Sequence, residues 1–329
     1  MPAVDVAGEF ETIRRLLAPL AHPDWGRGLL DDVAMVPSRP GHDLVLTKDA
    51  IVEGVHFLPT DPLDSVARKV LRVNLSDLAA KGAEPFGYLL ACHWSERCGW
   101  PERKTFVEGL REDQAKFGVA LLGGDTVLTP GPASFCITLL GWAAKGRIVG
   151  RAGARPGDLV FVTGAIGDGW LGLQAAQDKL TLEPDRIAAL VEGYRAPTPR
   201  VEFAGPIHDF ATASIDVSDG LIADLGHLAE AGSVGIEFDL EALPRSAAGQ
   251  AWYDSRVDAQ AALESLATGG DDYEIAFTAR PSDEAVLRRE AERRHLRLTR
   301  IGRVHAGQGV ITRFAGLPVP INRPGFTHD

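Results

Sequence analysis

Apolar residues recur along the chain at two periods, one typical of amphipathic helices and one typical of half-buried strands. The helical period predicts helices over residues 10–20, 64–82 and 102–118. Alternation and short apolar runs predict strands at residues 33–36, 43–52, 86–94, 119–125 and 134–143. Helices and strands that alternate in this way predict an α/β domain.

A connector rich in glycine and arginine, KGRIVGRAGARPGD, follows this block. After it, residues 159–177 predict a strand, a glycine turn and a helix. Later segments predict a helix near 185–194, a strand within 268–279 and a last strand unit around 300–304. Because 329 residues are many for one core, we place a boundary near residue 150 and expect two α/β domains, 1–150 and 151–329.

Three aspartates lie within the otherwise apolar stretch SIDVSDGLIADLG. As a strand, this stretch places Asp216 and Ser218 on one face, because successive side chains alternate. Helical spacing begins after Asp219 and Gly220, which makes Asp219 a natural N-cap. A turn with a cap explains the stretch by itself. A metal site would require further acids at other strand ends.

The charge of the chain is acidic, with a formal net charge of −11. No block rich in lysine or arginine stands out, so the electrostatic pattern of a nucleic-acid-binding protein is missing. An acidic enzyme that handles phosphates would have to neutralise them with metal ions and local arginines. We therefore expect no nucleic-acid partner.

Three cysteines, Cys92, Cys98 and Cys136, show no CxxC spacing, so neither a disulfide framework nor a zinc site is predicted. The N-terminal segment carries acids where a signal peptide needs a basic start. No apolar run is long enough to span a bilayer. We therefore expect a cytoplasmic protein with no membrane partner.

Acidic groups, several with neighbouring hydroxyls or glycines, recur at the ends of predicted elements. They are Asp31-Asp32, Thr47 with Asp49, Ser76-Asp77, Gly124-Asp125-Thr126, Asp216 with Ser218 and Asp219, and Asp271-Asp272. Each can be a turn or a cap alone, but together they indicate an oxygen-ligand site of the kind that magnesium prefers. Several carboxylates that converge on magnesium are typical of phosphoryl transfer.

Familiar nucleotide motifs are missing. GxxxxGK[ST] does not occur, TGAIGDGWLG lacks GxGxxG spacing, and HRD and DFG are absent. TGAIGDGWLG is better explained as a close turn between a strand and a helix. A nucleotide site must therefore be built in another way.

The motifs, taken in their order, are LLDDVAMV, LTKDAIVEGVHFLP, VNLSDLAAKGAEP, LLGGDTV, GRIVGRAGARPGD, FVTGAIGD, IDVSDGLIADLGHL, TGGDDYEIAFT and IGRV. In this order the chain resembles the thiamine-monophosphate kinase family of the aminoimidazole ribonucleotide synthetase-like superfamily, over nearly its whole length. The resemblance implies an N-terminal α/β domain that dimerises and binds metal and ATP. A C-terminal α/β domain would complete the active-site cleft.

The resemblance also implies the reaction. The family transfers the γ-phosphate of ATP directly to the phosphate of thiamine monophosphate, giving thiamine diphosphate, with several Mg²⁺ ions and no phosphoenzyme. This implication agrees with a chain that has many carboxylates and no evident nucleophile. It predicts ATP and thiamine monophosphate as ligands and a homodimer as the assembly.

Site residues carry over from the resemblance by motif. Metal positions are Asp32, Thr47, Lys48, Asp49, Asp77, Asp125, Asp216 and Asp219; nucleotide positions are Gly124, Asp125, Arg151 and Ser218; substrate positions are His56, Asp271 and Phe326. Arg151 would supply a forked donor for phosphate. No residue is predicted to act as a base or nucleophile.

The chain departs from the family pattern at four positions. Lys48 replaces a threonine or similar residue, so a cation is expected near the metals in place of a hydroxyl. Leu30 makes the usual GDD an LDD, Asp271 replaces glutamate, and Phe326 replaces an aromatic residue that has a polar group. None of these changes removes a carboxylate.

Two alternatives stay open. The first is a sister activity on the same scaffold: aminoimidazole ribonucleotide synthetase, selenophosphate synthetase or the hydrogenase-maturation dehydratase. Selenophosphate synthetase is disfavoured because no early nucleophilic cysteine occurs; the first is Cys92. The second is a regulator that binds metal or nucleotide without catalysis. The motifs VEGVHF and GGDDYE favour thiamine monophosphate as the substrate.

Overall fold

The computed structural model describes residues 8–326, which group into two units. The first unit comprises Met1–Leu78 and Glu84–Gly146, and the second comprises Ala79–Ala83 and Arg147–Asp329. A single boundary in the sequence therefore does not describe the division, because five residues that follow Leu78 belong to the second unit.

The first unit begins with short helical turns and continues with two long helices and four strands. Its elements are α1 (Glu9–Thr12), a π-helical turn (Ile13–Leu17), 3₁₀ turns (Ala18–Leu20 and Arg27–Leu29), β1 (His42–Val52), α2 (Leu63–Ala80), β2 (Glu84–Ser95), α3 (Trp100–Phe117), β3 (Ala120–Thr129) and β4 (Ser134–Ala144). The sheet order is β1-β4-β2-β3, in which β2 and β3 are parallel and the other pairs are antiparallel.

One face of this sheet is buried beneath helices. Phe135 on β4 stacks on Phe106 of α3 with ring centroids 4.3 Å apart, and Trp94 on β2 meets Phe106 edge to face at 5.3 Å. Leu46 and Leu89 lie on the opposite face, where they are 58% and 39% exposed. The alternation of strand side chains thus separates an aromatic core from an exposed apolar face.

A buried ion pair joins the two long helices. Arg72 of α2 donates through Nε and Nη2 to the carboxylate of Asp113 on α3, at 2.6 and 2.8 Å. The two side chains are 8% and 1% exposed. This bidentate geometry satisfies two charges that would otherwise be costly to bury.

The strand predicted at residues 33–36 is wrong. These residues lie in an irregular segment in which Val33 and Met35 are both 63% exposed. The backbone N–H of Met35 donates to the carbonyl of Trp25 at 2.9 Å, a contact between loop residues. Apolar residues alone do not make a strand where no neighbouring strand pairs with them.

The second unit contains seven strands and seven helices within residues 8–326. They are β5 (Leu159–Thr163), α4 (Asp168–Ala176), α5 (Pro184–Arg195), α6 (Ala204–Phe210), β6 (Ala211–Asp216), α7 (Leu221–Gly232), β7 (Gly235–Asp239), α8 (Ala247–Asp254), α9 (Ala259–Thr268), β8 (Ile275–Ala279), α10 (Glu284–Arg293), β9 (Leu298–His305), β10 (Gly309–Phe314) and β11 (Leu317–Val319). Shorter 3₁₀ turns lie at Val201–Phe203, Leu240–Ala242 and Pro281–Asp283.

The sheet of the second unit is buried on both faces at its central strands β5 and β8. Its order is β11-β10-β7-β9-β5-β8-β6, in which β10 and β7 are parallel and the other pairs antiparallel. On β5, Val160 and Val162 join one apolar core, whereas Phe161 joins a second core with Phe203 and Phe277. Burial on both faces explains why LVFVT and IAFTA are continuous apolar runs.

The predicted α/β class is confirmed in both units. The predicted helices at 64–82, 102–118 and 185–194 correspond to α2, α3 and α5. The strand–turn–helix at 159–177 corresponds to β5 and α4. Among residues 8–326, no helix combines the length and the apolar character that crossing a bilayer requires.

Candidate active site

The acids of the first unit form a cluster between β1 and α2. Thr47 and Asp49 share one face of β1, because they lie two residues apart. The hydroxyl of Thr47 donates to the carboxylate of Asp77 on α2, and the N–H of Asp49 donates to Oδ1 of Asn74 at 3.0 Å. Asn74 is fully buried and is itself anchored to the carbonyl of Val70 at 2.9 Å. Three predicted metal positions therefore lie together.

Lys48 lies differently from the expectation. As the neighbour of both Thr47 and Asp49 on a regular strand, its side chain leaves the opposite face of β1, where it is exposed. The structure thus corrects the expectation that its ammonium lies beside the acids of this cluster. Strand alternation is the physical reason.

A cavity of about 700 Å³ brings together another set of predicted residues. Its polar lining includes Asp31, Asp32, Gly124 and Asp125, and apolar side chains such as Leu140 complete it. The carboxylates come from the loop after the first helical turns and from β3. Its volume falls in the range typical of small-ligand sites.

Gly124 is required at its position in β3. Its φ is +154°, and a Cβ there would lie 1.8 Å from the carbonyl oxygen of Leu90 on β2. Asp125 follows, with Oδ1 accepting the N–H of Thr126 at 2.8 Å. The Thr126 hydroxyl accepts from Nε1 of the buried Trp94 at 2.8 Å. The segment 124–126 is therefore fixed by its close approach to β2 and by the hydrogen bonds of Asp125 and Thr126.

His56 lies in a tight turn that follows β1. Its N–H donates to the carbonyl of Val52 at 2.9 Å, and its Nδ1 accepts the N–H of Val52 at 3.1 Å. The ring is therefore oriented by the strand that also carries Thr47 and Asp49.

In the second unit, backbone hydrogen bonds join three separate segments of predicted residues. The N–H of Asp271 donates to the carbonyl of Ser218 at 2.7 Å, and the N–H of Phe326 donates to the carbonyl of Asp219 at 2.8 Å. Asp216 ends β6 just before them and is 7% exposed. Residues 216–219, Asp271 and Phe326 thus lie side by side.

Glycines allow these segments to approach so closely. A Cβ on Gly270 would lie 2.6 Å from the carbonyl oxygen of Ser218, and one on Gly325 would lie 2.5 Å from that of Asp219. Asp271 itself has φ +65°, in the left-handed region that non-glycine residues rarely adopt. Strained backbone of this kind concentrates at functional sites.

The predicted cap role of Asp219 is wrong. The residue at the N-cap of α7 is Gly220, and no side chain there accepts a capping hydrogen bond. Asp224, in the first turn of the helix, instead accepts the N–H groups of Ser218 and Asp219 at 3.1 and 3.2 Å. The carboxylate of Asp219 therefore does not cap α7, and it remains a candidate metal ligand.

Asp219, Asp224 and His227 place one ligand atom each within 4.8 Å of the others. Asp224 and His227 lie three residues apart on α7, a spacing that puts side chains on one helix face. Burial, reinforced by the nearby Asp219 carboxylate, raises the pKa of Asp224 to about 7. A cation would relieve the repulsion between these two acids.

The segment GGDDYE contains two further acids with structural contacts. The buried carboxylate of Asp272 accepts the N–H groups of Gly167 and Gly169 at 2.9–3.0 Å, and burial raises its pKa well above the usual range. Glu274 accepts the Thr163 hydroxyl and the guanidinium of Arg200 at 2.7 Å. Both carboxylates fix the loop that presents Asp271.

Arg151, like Lys48, contacts none of the other predicted residues among those that the structure describes. It is exposed in the connector before β5, and within residues 8–326 its guanidinium forms no hydrogen bond or ion pair. A guanidinium in this state keeps its donors for a ligand.

Comparison with known proteins identifies the family. The domain family described as AIR synthase related protein, N-terminal domain, matches residues 30–143, and its C-terminal counterpart matches residues 155–314. A thiamine-monophosphate kinase from Caulobacter vibrioides is 47% identical over 328 residues, covering 99% of this chain and 92% of the relative. The chain belongs to the thiamine-monophosphate kinase family. The resemblance stated from the motifs is confirmed.

Solved structures of thiamine-monophosphate kinases share the fold. A crystal structure of the enzyme from Stenotrophomonas maltophilia K279a has a TM-score of 0.79 and 35% identity, and covers 88% of this chain and 91% of its own. The structure named AaThiL complexed with AMPPCP and TMP has a TM-score of 0.78 and 31% identity, with 89% coverage of both chains. The predicted superfamily fold is therefore confirmed.

Sequence reasoning missed three polar residues that lie close to predicted site residues. They are Asn74, Asp224 and His227. The i, i+3 spacing of Asp224 and His227 was visible in the sequence as a shared helix face. No local signal distinguished Asn74, because its partner Asp49 lies on another element. Asp272 was grouped with Asp271 among the expected oxygen ligands, and in the structure its buried carboxylate accepts the N–H groups of Gly167 and Gly169.

Proposed function

We propose that this chain phosphorylates thiamine monophosphate with ATP to give thiamine diphosphate. The proposal is carried by the alignment with thiamine-monophosphate kinases over almost the whole chain. It is supported by the cluster of Thr47, Asp49 and Asp77 and by the acidic cavity at Asp32 and Asp125.

The donor atoms of these clusters fit magnesium. They are carboxylate and hydroxyl oxygens, which Mg²⁺ prefers to nitrogen or sulfur. We infer that Asp32, Thr47, Asp49, Asp77 and Asp125 hold ions in the first unit, and that Asp216 and Asp219 do so in the second. When bound, such ions neutralise and orient phosphate oxygens.

The nucleotide is assigned to the cavity lined by Gly124 and Asp125. Its volume of about 700 Å³ accommodates a ligand of nucleotide size. Because Gly124 has no side chain, phosphate groups can approach the backbone there. Ser218 and the exposed Arg151 are proposed as further nucleotide contacts, and Arg151 offers a forked donor set.

The acceptor needs no strong base. A phosphate oxygen of thiamine monophosphate, already anionic near neutral pH, forms a bond to the γ-phosphorus of ATP. The bond from that phosphorus to the β,γ-bridging oxygen breaks, and ADP leaves with the electron pair. We propose direct in-line transfer, in which positioning and charge neutralisation supply the catalysis. His56, Asp271 and Phe326 are the proposed substrate contacts.

We also propose that the active form is a homodimer built on the first unit. Leu44 and Leu46 are 44% and 58% exposed on the open face of its sheet. Exposed apolar side chains that share one face are typical of an interaction surface. Sedimentation velocity would test this, and a monomer at all protein concentrations would contradict it.

The reaction is tested by incubating the purified protein with ATP, Mg²⁺ and thiamine monophosphate and separating the thiamine species by chromatography. Thiamine diphosphate and ADP should appear in equal amounts, and EDTA should suppress both. Thiamine, which lacks the phosphate acceptor, is the matched control substrate. ATP consumption without thiamine diphosphate would point to a sister activity, and no consumption would favour a binding role.

A further inference from the structure

The turn that carries His56 fixes the tautomer of its neutral ring. Because Nδ1 accepts the N–H of Val52 at 3.1 Å, the proton of the neutral imidazole lies on Nε2. The turn is also closed at its backbone by the bond from the His56 N–H to the Val52 carbonyl at 2.9 Å. Nε2 is therefore a hydrogen-bond donor, which suits an anionic acceptor.

A buried lysine of helix α2 forms a hydrogen bond with the same turn. Lys69 of α2 is 1% exposed, and its Nζ donates to the carbonyl oxygen of His56 at 3.0 Å. Lysine is rarely buried to this extent, because an ammonium loses its hydration. A leucine would fill the same helix position without that penalty, so the ammonium indicates a polar role.

Short-range hydrogen bonds also fix the later part of this loop, between Leu58 and Asp61. Asp61, 8% exposed, accepts the N–H of Leu58 at 2.8 Å, and its own N–H donates to the Leu58 carbonyl at 2.9 Å. The segment from Val52 to Asp61 is therefore closed at both ends by short-range bonds. The contact from Lys69 reaches it from another element.

We propose that Lys69 is a positioning residue, whose ammonium holds the His56 carbonyl so that the imidazole Nε2–H is aimed at the phosphate of the substrate. The proposal rests on the proposed function and names a residue that acts on the substrate only through His56. Because Lys69 is buried, its own ammonium is withheld from ligands.

The first test compares Lys69→Met with Lys104→Met, an exposed lysine on α3. The loss of one aimed hydrogen bond to a charged acceptor predicts a rise of about tenfold in KM for thiamine monophosphate. KM for ATP should stay unchanged, and calorimetry without ATP should show the same loss of thiamine monophosphate affinity. Lys104→Met should match the wild type in all three measurements.

A double-mutant cycle separates positioning from a general structural effect. In the His56→Ala background, Lys69→Met should raise KM no further, because the group that it positions is gone. Equal effects of Lys69→Met in both backgrounds would overturn the proposal. Lys69→Gln, which keeps an N–H donor without the charge, should stay within about threefold of wild type.

A measurement on the wild-type protein covers the case in which Lys69→Met does not fold. NMR of ¹⁵N-labelled histidine should show the His56 proton on Nε2, and a proton on Nδ1 would overturn the proposal.

Wild-type protein that does not convert thiamine monophosphate contradicts the proposed function itself. Wild-type activity together with an unchanged KM in Lys69→Met contradicts the positioning role alone.

Discussion

The hydroxyl of Thr47 on β1 donates a hydrogen bond to the carboxylate of Asp77 on α2. The two residues are far apart in the sequence, yet this bond fixes the strand and the helix relative to each other at the acidic cluster. The bond also restrains the side chain of Asp77, so its carboxylate is presented to the cluster in one orientation.

Asp77→Asn and Asp125→Asn should each reduce turnover of thiamine monophosphate by more than about a hundredfold, since each removes a charge from the proposed metal sites. The amide oxygen can still accept the bonds from Thr47 and from the N–H of Thr126. Thermal unfolding should therefore stay close to wild type. Near-normal turnover in both variants would contradict the proposed metal sites. The control is Asp24→Asn, at an exposed position, which should leave turnover unchanged.

Arg72→Met should lower the free energy of unfolding by about 3–5 kcal/mol, because it leaves the buried Asp113 carboxylate without its bidentate partner. Denaturant unfolding measures this difference. Arg111→Met breaks the surface pair with Glu108 on the same helix, where both side chains are about half exposed. That control should change stability by less than about 1 kcal/mol. Equal effects would show that the pair on α2 and α3 behaves as a surface pair.

Asp168→Asn should change how stability depends on pH. Burial raises the pKa of Asp168 to about 6, with a hydrogen bond from Ser246 acting in the opposite direction. Between pH 4 and pH 6 the folded wild type keeps a proton that the unfolded chain releases, so its stability falls as pH rises. Relative to wild type, the variant should gain up to about 3 kcal/mol across this window.

Urea unfolding at several pH values measures this difference. The gain should level off above the folded pKa, since both states of the wild type are then ionised. Gln308→Ala, which changes no ionisable group at an exposed position, should give a difference that does not vary with pH. A flat difference for Asp168→Asn as well would contradict the raised pKa.

His227→Ala should weaken Mn²⁺ binding about tenfold while leaving Mg²⁺ binding nearly unchanged, because imidazole is a ligand for transition metals and magnesium prefers oxygen. The basis is the approach of His227 to Asp219 and Asp224. Electron paramagnetic resonance of free Mn²⁺ measures the affinity. His42→Ala, in the other unit, is the control, and identical Mn²⁺ affinities would exclude His227 as a ligand.

The sequence predicted the long elements well because their periods are clear over many residues. β1, α2 and α3 lie where alternation or helical spacing placed them. The segment 33–36 failed, since its apolar residues have no pairing strand. Strands β7, β10 and β11 were not predicted individually, because a strand of this length depends on neighbours that are distant in sequence.

The candidate site was predictable as a set of residues and less so as an arrangement. Motif order alone selected Asp77, Asp125 and Asp219. It gave no indication that Asp224 would accept the N–H groups next to Asp219, or that strand alternation would turn Lys48 away from Thr47. These outcomes depend on helix and strand geometry at single residues, which a motif does not encode.

The contact between Gly325 and the backbone of Asp219 changes how a genetic screen of this protein should be interpreted. An inactive variant at Gly325 would suggest a defect in the neighbouring Phe326 and so in substrate binding. Its new Cβ would instead press on the Asp219 carbonyl and on Ala223 of α7. The defect would then lie at Asp219, a proposed metal position that is distant from Gly325 in the sequence. A higher magnesium concentration would then restore more activity than a higher substrate concentration.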